Sequence, residues 1–374
     1  MDAKRPPTLI VAGGGTGGHV LAGIAVADSW RSRFGSTLSA PVFFVGAHGG
    51  IEEMLVPRAG YPLELLHLGS LNGVSLKKKL KTLLQLPLAL SRSAAILLRH
   101  RPDAVIGVGG YASGPLILIA KILSILRVLH CRCAILEQNS VPGFTNRILG
   151  TVVEMVFCAF PGTEGRFRTR AILTGNPIRS SMRLLPSASR EPFTIFVFGG
   201  SQGALGINSL VLEALPLLQD MKEKLRIIHQ TGERDYERVV KGYQDARIEA
   251  RIEKFIHEMP AVYASASLLI CRAGSSTLAE IAAVGRAAVL VPFPHASDDH
   301  QQKNAEVFAN AGAARLMRQI DPNRGTGREL ASLIRHLIAH PAEIREMEKA
   351  ATLFCRPHAA GDIVNNLSAG YHAQ

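Results

Sequence analysis

An α/β protein of two doubly wound, parallel-sheet units is the fold the sequence predicts, on three observations. Short β-rich runs alternate with longer helical stretches along the chain. Its 374 residues exceed the usual size of one hydrophobic core. An apolar run followed by a glycine-rich turn also occurs twice. Leu9-Ile10-Val11-Ala12 runs into Gly13-Gly14-Gly15-Thr16-Gly17-Gly18-His19, and Phe193-Thr194-Ile195-Phe196-Val197-Phe198 into Gly199-Gly200-Ser201-Gln202-Gly203. Each reads as a buried strand, a loop without β-carbons and a helix start, where backbone N–H groups can approach an anionic or strongly polar group. Two such turns imply two Rossmann-like domains facing a cleft.

In the first half, strands are expected at 8–12, 42–45, 63–67, 104–108, 133–136 and 153–158. In the second half they are expected at 194–198, 226–230, 252–255, 268–271 and 288–291. The boundary is placed at Gly175-Asn176-Pro177-Ile178-Arg179, followed by a polar hinge at 186–190. This gives an N-terminal domain over 1–178, a second over 179–360 and a C-terminal tail over 361–374.

The net charge of +12 favours anionic partners. Nucleic acid is disfavoured because no reader motif with interleaved aromatics is present. Cys131, Cys133, Cys158, Cys271 and Cys355 are scattered and odd in number, which fits a reducing compartment rather than a disulfide framework. Cys131 and Cys133 have no second ligand pair at zinc spacing, so no metal is expected. The first residues lack a signal peptide's apolar stretch, and the greasiest segment, 115–129, carries Lys121 and Arg127 and is too short to span a bilayer. A soluble chain is expected.

Gly13-x-Gly15-x-x-Gly18 matches the dinucleotide fingerprint literally. That reading also wants an acid at the end of the second strand for the ribose hydroxyls. Here the second strand ends in Gly46-Ala47-His48, and its counterpart, Ile227-Ile228-His229-Gln230, runs into Thr231-Gly232. A nicotinamide or flavin cofactor is therefore not expected, although a turn serving packing alone stays open. His19 opens the first helix, where the helix dipole favours a neutral imidazole suited to a general base; a surface or capping role is the alternative.

A third cluster is Cys271-Arg272-Ala273-Gly274-Ser275-Ser276-Thr277-Leu278-Ala279-Glu280. Three hydroxyl residues crowd a helix start where one would suffice as a cap, offering donors to a diphosphate. Glu280, a turn further on, suits two ribose hydroxyls. Gln301 and Gln302, beyond the strand ending at Val291, suit sugar hydroxyls. Residues 74–92 place Leu76, Leu80, Leu83, Leu84 and Pro87 at helical spacing beside Lys77, Lys78, Lys79 and Lys81. Such a segment suits an anionic membrane surface, or is an ordinary helix with a solvated lysine face.

Taken in order, Gly14-Gly15-Thr16-Gly17-Gly18-His19, Gly109-Gly110-Tyr111-Ala112-Ser113-Gly114-Pro115, Glu137-Gln138-Asn139, Thr174-Gly175-Asn176-Pro177-Ile178-Arg179, Gly199-Gly200-Ser201-Gln202-Gly203, Ala273-Gly274-Ser275-Ser276-Thr277, Glu280-Ile281-Ala282-Ala283 and His300-Gln301 span nearly the whole chain. This series resembles the bacterial transferases that add GlcNAc to the lipid-linked peptidoglycan precursor. The resemblance implies the GT-B glycosyltransferase fold, with a C-terminal helix around 362–369 returning to the first domain. It implies an inverting hexosyltransferase that moves GlcNAc from UDP-GlcNAc to the 4-hydroxyl of MurNAc in undecaprenyl-pyrophosphoryl-MurNAc-pentapeptide, without cofactor or metal.

By the same resemblance, Ser201 and residues Ser275, Ser276, Thr277, Leu278 and Ala279 face the diphosphate, with Gly274 at the turn. Glu280 faces the ribose, the Ile256 backbone faces the uracil, and Arg179 lies near the nucleotide. Thr16, Gly17, Gly18, Asn139 and Gln301 surround the GlcNAc. Gly14, Gly15, Tyr111, Ser113 and Gly114 receive the acceptor. Leu76, Lys77, Lys78, Leu80, Lys81 and Leu84 face the membrane, placing the chain peripherally on the cytoplasmic side of the inner membrane, with cell-wall synthesis and division proteins as partners. His19 is the candidate base and Glu137 its rival, or the residue that orients a neighbour. A UDP-GlcNAc 2-epimerase and a non-catalytic nucleotide-sugar binder remain the alternatives.

Overall fold

The computed structural model describes residues 6–35, 41–69, 76–179, 181–182, 191–200, 202–318 and 326–371, with side chains omitted at 76–83, 297 and 326. The chain divides into two compact units, Met1–Ser180 with Arg356–Gln374, and Ser181–Cys355. The expected break at 178/179 lies two residues from the observed one, and the C-terminal return begins at Arg356 rather than 361.

Unit 1 runs β1 (Leu9–Gly13), α1 (Gly17–Phe34), β2 (Val42–Ala47), α2 (Glu52–Arg58), β3 (Leu63–Leu66) and α3 (Leu76–His100). It continues β4 (Ala104–Gly109), α4 (Ser113–Ile125), β5 (Arg132–Glu137), α5 (Phe144–Leu149), β6 (Met155–Cys158) and β7 (Ala171–Leu173). The sheet order is β3-β2-β1-β4-β5-β6-β7, and its pairings are parallel. Alternation along β1 serves both faces: Leu9 and Val11 enter one core with Trp30 of α1, while Ile10 and Ala12 enter the other with Leu116 and Ile117 of α4. Such double burial is why the strand reads as a continuous apolar run.

Unit 2 runs β8 (Phe193–Phe198), α6 (Leu205–Ala214), β9 (Leu225–Gln230), α7 (Tyr236–Ala246), β10 (Ala250–Glu253), α8 (Met259–Ser265) and β11 (Leu268–Cys271). It closes with α9 (Ser275–Val284), β12 (Ala288–Leu290), α10 (His300–Asn310), β13 (Arg315–Leu316), α11 (Thr326–Ala339) and α12 (Pro341–Thr352). Its order is β10-β9-β8-β11-β12-β13, again parallel. Two edge strands, β7 and β13, escape the sequence reading, and β10 lies two residues earlier than expected.

The last helix, α13 (Ala359–Leu367), belongs to unit 1 and packs on α1. Arg132 donates from Nη1 to the Leu367 carbonyl (3.1 Å), and the Tyr371 hydroxyl donates to the Asp103 carbonyl (2.8 Å). Ile363, Val364 and Leu367 complete the Trp30 core.

In each sheet the chain reverses its direction of growth once, between β1 and β4 in unit 1 and between β8 and β11 in unit 2. Open α/β sheets bind ligands at that switch point, beyond the carboxyl ends of the strands. The two glycine-rich turns stand at these two places.

Candidate active site

In unit 1, the loops after β1 and β4 are built into one another. Gly14 N–H donates to the Gly109 carbonyl (3.1 Å), and a Cβ on Gly110, whose φ is +85°, would stand 2.4 Å from the Gly14 carbonyl. Only a residue without a side chain permits that approach. Thr16 caps α1 with its hydroxyl, accepting from His19 N–H (3.4 Å), while Gly17 and Gly18 form the first turn. The His19 ring packs over Gly109, where a Cβ would lie 2.8 Å from Nε2. His19 Nδ1 is 3.1 Å from the Gly14 carbonyl, and since a carbonyl only accepts, Nδ1 carries a proton.

Glu137 ends β5 with 1% of its surface exposed. Its Oε1 accepts from Asn139 N (2.9 Å) and Asn139 Nδ2 (3.3 Å), and its Oε2 from Gly143 N (3.1 Å) and Asn146 Nδ2 (2.9 Å). Burial pushes its carboxyl above the ordinary range, against the pull of those four donors. This carboxylate braces the 138–143 turn and bonds Asn139 through both its backbone and its side chain. Ser113, expected toward the acceptor, is likewise buried and donates its hydroxyl to the Gly110 carbonyl (2.8 Å). Tyr111, by contrast, is exposed, and Gly114 lies in the first turn of α4.

The sequence reading missed Glu52. This first residue of α2 has no exposed surface, and its carboxylate accepts from Gly15 N (2.8 Å, Oε2) and Ala47 N (3.0 Å, Oε1). An acid thus reaches the first glycine turn from α2 rather than from the end of β2. Its oxygens are spent on backbone N–H groups, and the Gly15 N–H, expected to face a ligand, turns inward. Only the run of Gly46, Gly49 and Gly50 ahead of it could have signalled this.

In unit 2, Gln230 at the end of β9 ties three segments together. Its Nε2 donates to the Gly200 carbonyl (2.9 Å) and its Oε1 accepts from Ile256 N–H (2.8 Å), so of the Ile256 backbone groups expected toward the uracil the N–H is engaged within the unit. Ser201 lies outside the described residues. A second unforeseen network lies beneath this turn. His229, fully buried, bonds Tyr243 Oη through Nδ1 (3.0 Å) and Asn208 Oδ1 through Nε2 (3.0 Å). Asn208 Nδ2 in turn donates to the Thr231 carbonyl (3.1 Å) and Asp235 Oδ2 (2.7 Å).

Helix α9 starts after Gly274, with Ser275, Ser276 and Thr277 half-buried in its first turn and Ala279 beyond them. Leu278 has no exposed surface and its N–H returns to the Gly274 carbonyl (3.0 Å), so it is a core residue rather than a diphosphate contact. Glu280 accepts from Tyr263 Oη (3.0 Å). Gln301 Oε1 accepts from Phe293 N–H (3.0 Å), bracing the loop after β12.

Arg272, which lies in the third cluster but has no role assigned from sequence, donates from Nη1 to the Val291 (3.0 Å) and Pro292 (2.9 Å) carbonyls. Burial lowers its guanidinium to about 10. It joins the ends of β11 and β12, fixing the turn that leads into α9.

Arg179 is half-buried at the end of a described segment. Leu76, Lys77, Lys78, Leu80 and Lys81 lie in α3, but their side chains are outside those described; Leu84 is exposed. Among the described residues, His336, His340 and Glu343 are close enough to share a metal ion. There, Glu343 pairs with His336 (2.7 Å) and Arg315 (2.6 Å).

Family models place the glycosyltransferase family 28 N-terminal domain over residues 9–158 and its C-terminal domain over 194–363. The chain is 45% identical over 361 residues to the UDP-N-acetylglucosamine–N-acetylmuramyl-(pentapeptide) pyrophosphoryl-undecaprenol N-acetylglucosamine transferase of Myxococcus xanthus, covering 96% of this chain and 91% of that one. The protein of the same name from Geobacter sp. strain M21 is 44% identical over 363 residues, covering 95% and 94%. Among solved structures, Acinetobacter baumannii MurG matches with a TM-score of 0.78 at 30% identity, over 97% of this chain and 99% of that one. A UDP-GlcNAc 2-epimerase from Neisseria meningitidis shares the fold at 13% identity, with a TM-score of 0.65 over 96% and 99%. Two switch-point loops in two parallel-sheet units, matched along nearly their whole length, thus lead to one conclusion: the chain is a GT-B glycosyltransferase of family 28 and belongs to its UDP-N-acetylglucosamine–N-acetylmuramyl-(pentapeptide) pyrophosphoryl-undecaprenol N-acetylglucosamine transferases.

Proposed function

We propose that this chain transfers GlcNAc from UDP-GlcNAc to the 4-hydroxyl of the MurNAc sugar in a lipid-linked pentapeptide precursor, with inversion at the anomeric carbon. The observation that carries this reading is the full-length likeness to curated transferases, extending through both units. Unit 1 supplies the acceptor side and the base, His19, whose Nδ1–H on the Gly14 carbonyl leaves Nε2 to take the hydroxyl proton. Unit 2 supplies the donor side. The first turn of α9, with Ser275, Ser276 and Thr277, sets a helix N-terminus and hydroxyls against the diphosphate, Glu280 meets the ribose, and the Ile256 carbonyl rather than its N–H meets the uracil.

The chain works at a membrane surface. Among the described residues no helix is long and apolar enough to cross a membrane. Helices α3, α4 and α5 pack in sequence and expose Leu84, Leu88, Ile122, Ile125, Phe144 and Ile148, with Arg92, Arg127 and Arg147 also exposed. Apolar side chains among arginines suit the interface of an anionic bilayer.

The test is incubation with labelled UDP-GlcNAc and a short-chain analogue of the lipid-linked MurNAc-pentapeptide. A β-1,4-linked disaccharide and free UDP are expected. Conversion of UDP-GlcNAc to its 2-epimer without transfer would assign the chain to the epimerase reading instead.

A further inference from the structure

Glu52 and His19 grip opposite ends of one peptide group. Gly15 N–H donates to Glu52 Oε2 (2.8 Å), and the Gly14 carbonyl, the other half of the same amide, accepts from His19 Nδ1 (3.1 Å). The Gly14 N–H is held separately by the Gly109 carbonyl (3.1 Å). Both Glu52 oxygens accept from backbone N–H groups. The fold reserves space for it. A Cβ at Gly14, Gly46 or Gly50 would come within 1.9, 2.6 and 2.2 Å of Glu52 side-chain atoms.

We infer that Glu52 is a positioning residue for the transfer reaction, acting on His19 through the Gly14–Gly15 peptide. The inference rests on the reading of His19 as the base. An acceptor on the N–H side of an amide polarises it and enriches its carbonyl oxygen, so successive hydrogen bonds strengthen one another. That oxygen fixes the Nδ1–H tautomer and stabilises the imidazolium. As the acceptor oxygen bonds to the anomeric carbon and the bond to UDP breaks, its proton passes to Nε2, while Nδ1 keeps its own. The arrangement performs the orienting and charge-stabilising work of a carboxylate bonded directly to a catalytic imidazole, with one peptide inserted.

Ionisable groups on the elements packed against α2 are engaged elsewhere. Asp28 of α1 accepts from Tyr61 (2.6 Å), and Arg31 lies over the Tyr61 ring (3.8 Å). Glu64 of β3 pairs with His100 (2.7 Å) and Arg99 (3.4 Å). Glu53 pairs with His48 (3.4 Å), whose ring meets that of His67 (4.0 Å). Glu52 is the carboxylate that addresses the loop.

The experiment is 15N NMR of imidazole-labelled full-length protein, with His19 assigned by difference from His19→Gln, alongside the pH profile of transfer. In the wild type, neutral His19 is expected as the Nδ1–H tautomer, the minor form of the free histidine side chain. In Glu52→Gln the amide can accept only one of the two N–H groups. Its His19 pKa is expected to fall by about half a unit or more, with the acid limb of kcat moving likewise. The kcat plateau should drop by about tenfold at unchanged KM for UDP-GlcNAc. An Nε2–H tautomer in the wild type overturns the proposal even if the variant fails to fold, as does an unmoved His19 pKa in a folded variant. Full turnover by His19→Gln would remove the base reading alone, leaving the tautomer and pKa results to stand or fall separately.

Discussion

Glu137 holds Asn139 twice, accepting on one carboxylate oxygen both its backbone N–H (2.9 Å) and its side-chain amide (3.3 Å). With Gly143 and Asn146 donating to the other oxygen, four donors converge on one buried acid. The group that sequence offers as a rival base thus also anchors a loop.

A glutamine at 137 would point an amide N–H at donors that need an acceptor. Glu137→Gln is expected to lower turnover by about tenfold through a loosened Asn139 loop. It is expected to keep the acid limb of the pH–rate profile. Initial rates across pH check this, and disappearance of the acid limb in the variant would return the proton-accepting role to Glu137.

The His229 network carries a stability consequence. Burial pushes its imidazole down from 6.5 to about 3, so the folded chain keeps it neutral where the unfolded chain protonates it. Its contribution is complete above the ordinary histidine range and is lost as pH falls below it, by about 1.4 kcal/mol per pH unit for this one proton. His229→Gln retains hydrogen-bonding capacity without titrating. Urea unfolding between about pH 6.5 and 5 should therefore lose close to one proton of pH dependence in the variant. An unchanged slope would contradict the buried neutral imidazole.

Much of this architecture was legible because its signals are local. β1 and β8 are continuous apolar runs closed by glycine, and Thr16 and Gly274 mark helix starts within three residues of their strands' turns. The edge strands β7 and β13 are three and two residues long, too short for any periodicity to register. Glu52 and His229 were illegible for another reason. A glutamate at a helix start reads as solvated, and a histidine on an apolar strand reads as core. What gives each its role is a partner far along the chain, Gly15 for one and Asn208 for the other. Leu278 shows the converse, since motif position suggested a ligand contact while helical phase turned it into the core.

The exposed apolar faces of α4 and α5 should govern membrane association. Ile125→Glu combined with Ile148→Glu replaces two exposed isoleucines by charges of the bilayer's own sign. Sedimentation with vesicles containing phosphatidylglycerol is expected to show binding weakened by about tenfold or more. Equal binding by the variant would remove this face from the interface.

The close packing of His19 on Gly109 predicts a steric effect. At Gly109, where φ is +108°, a methyl group would stand 2.8 Å from His19 Nε2. Gly109→Ala is expected to reduce kcat by about tenfold or more while UDP-GlcNAc affinity stays near that of the wild type. Loss of donor affinity with kcat preserved would contradict this assignment of the two loops.

With the base on unit 1 and the donor site on unit 2, His19→Ala separates the two roles. Turnover with the lipid-linked acceptor and calorimetric affinity for UDP-GlcNAc would be measured on one preparation. A kcat lower by about a hundredfold or more is expected, with donor affinity nearly intact. Turnover within a few-fold of the wild type would contradict it.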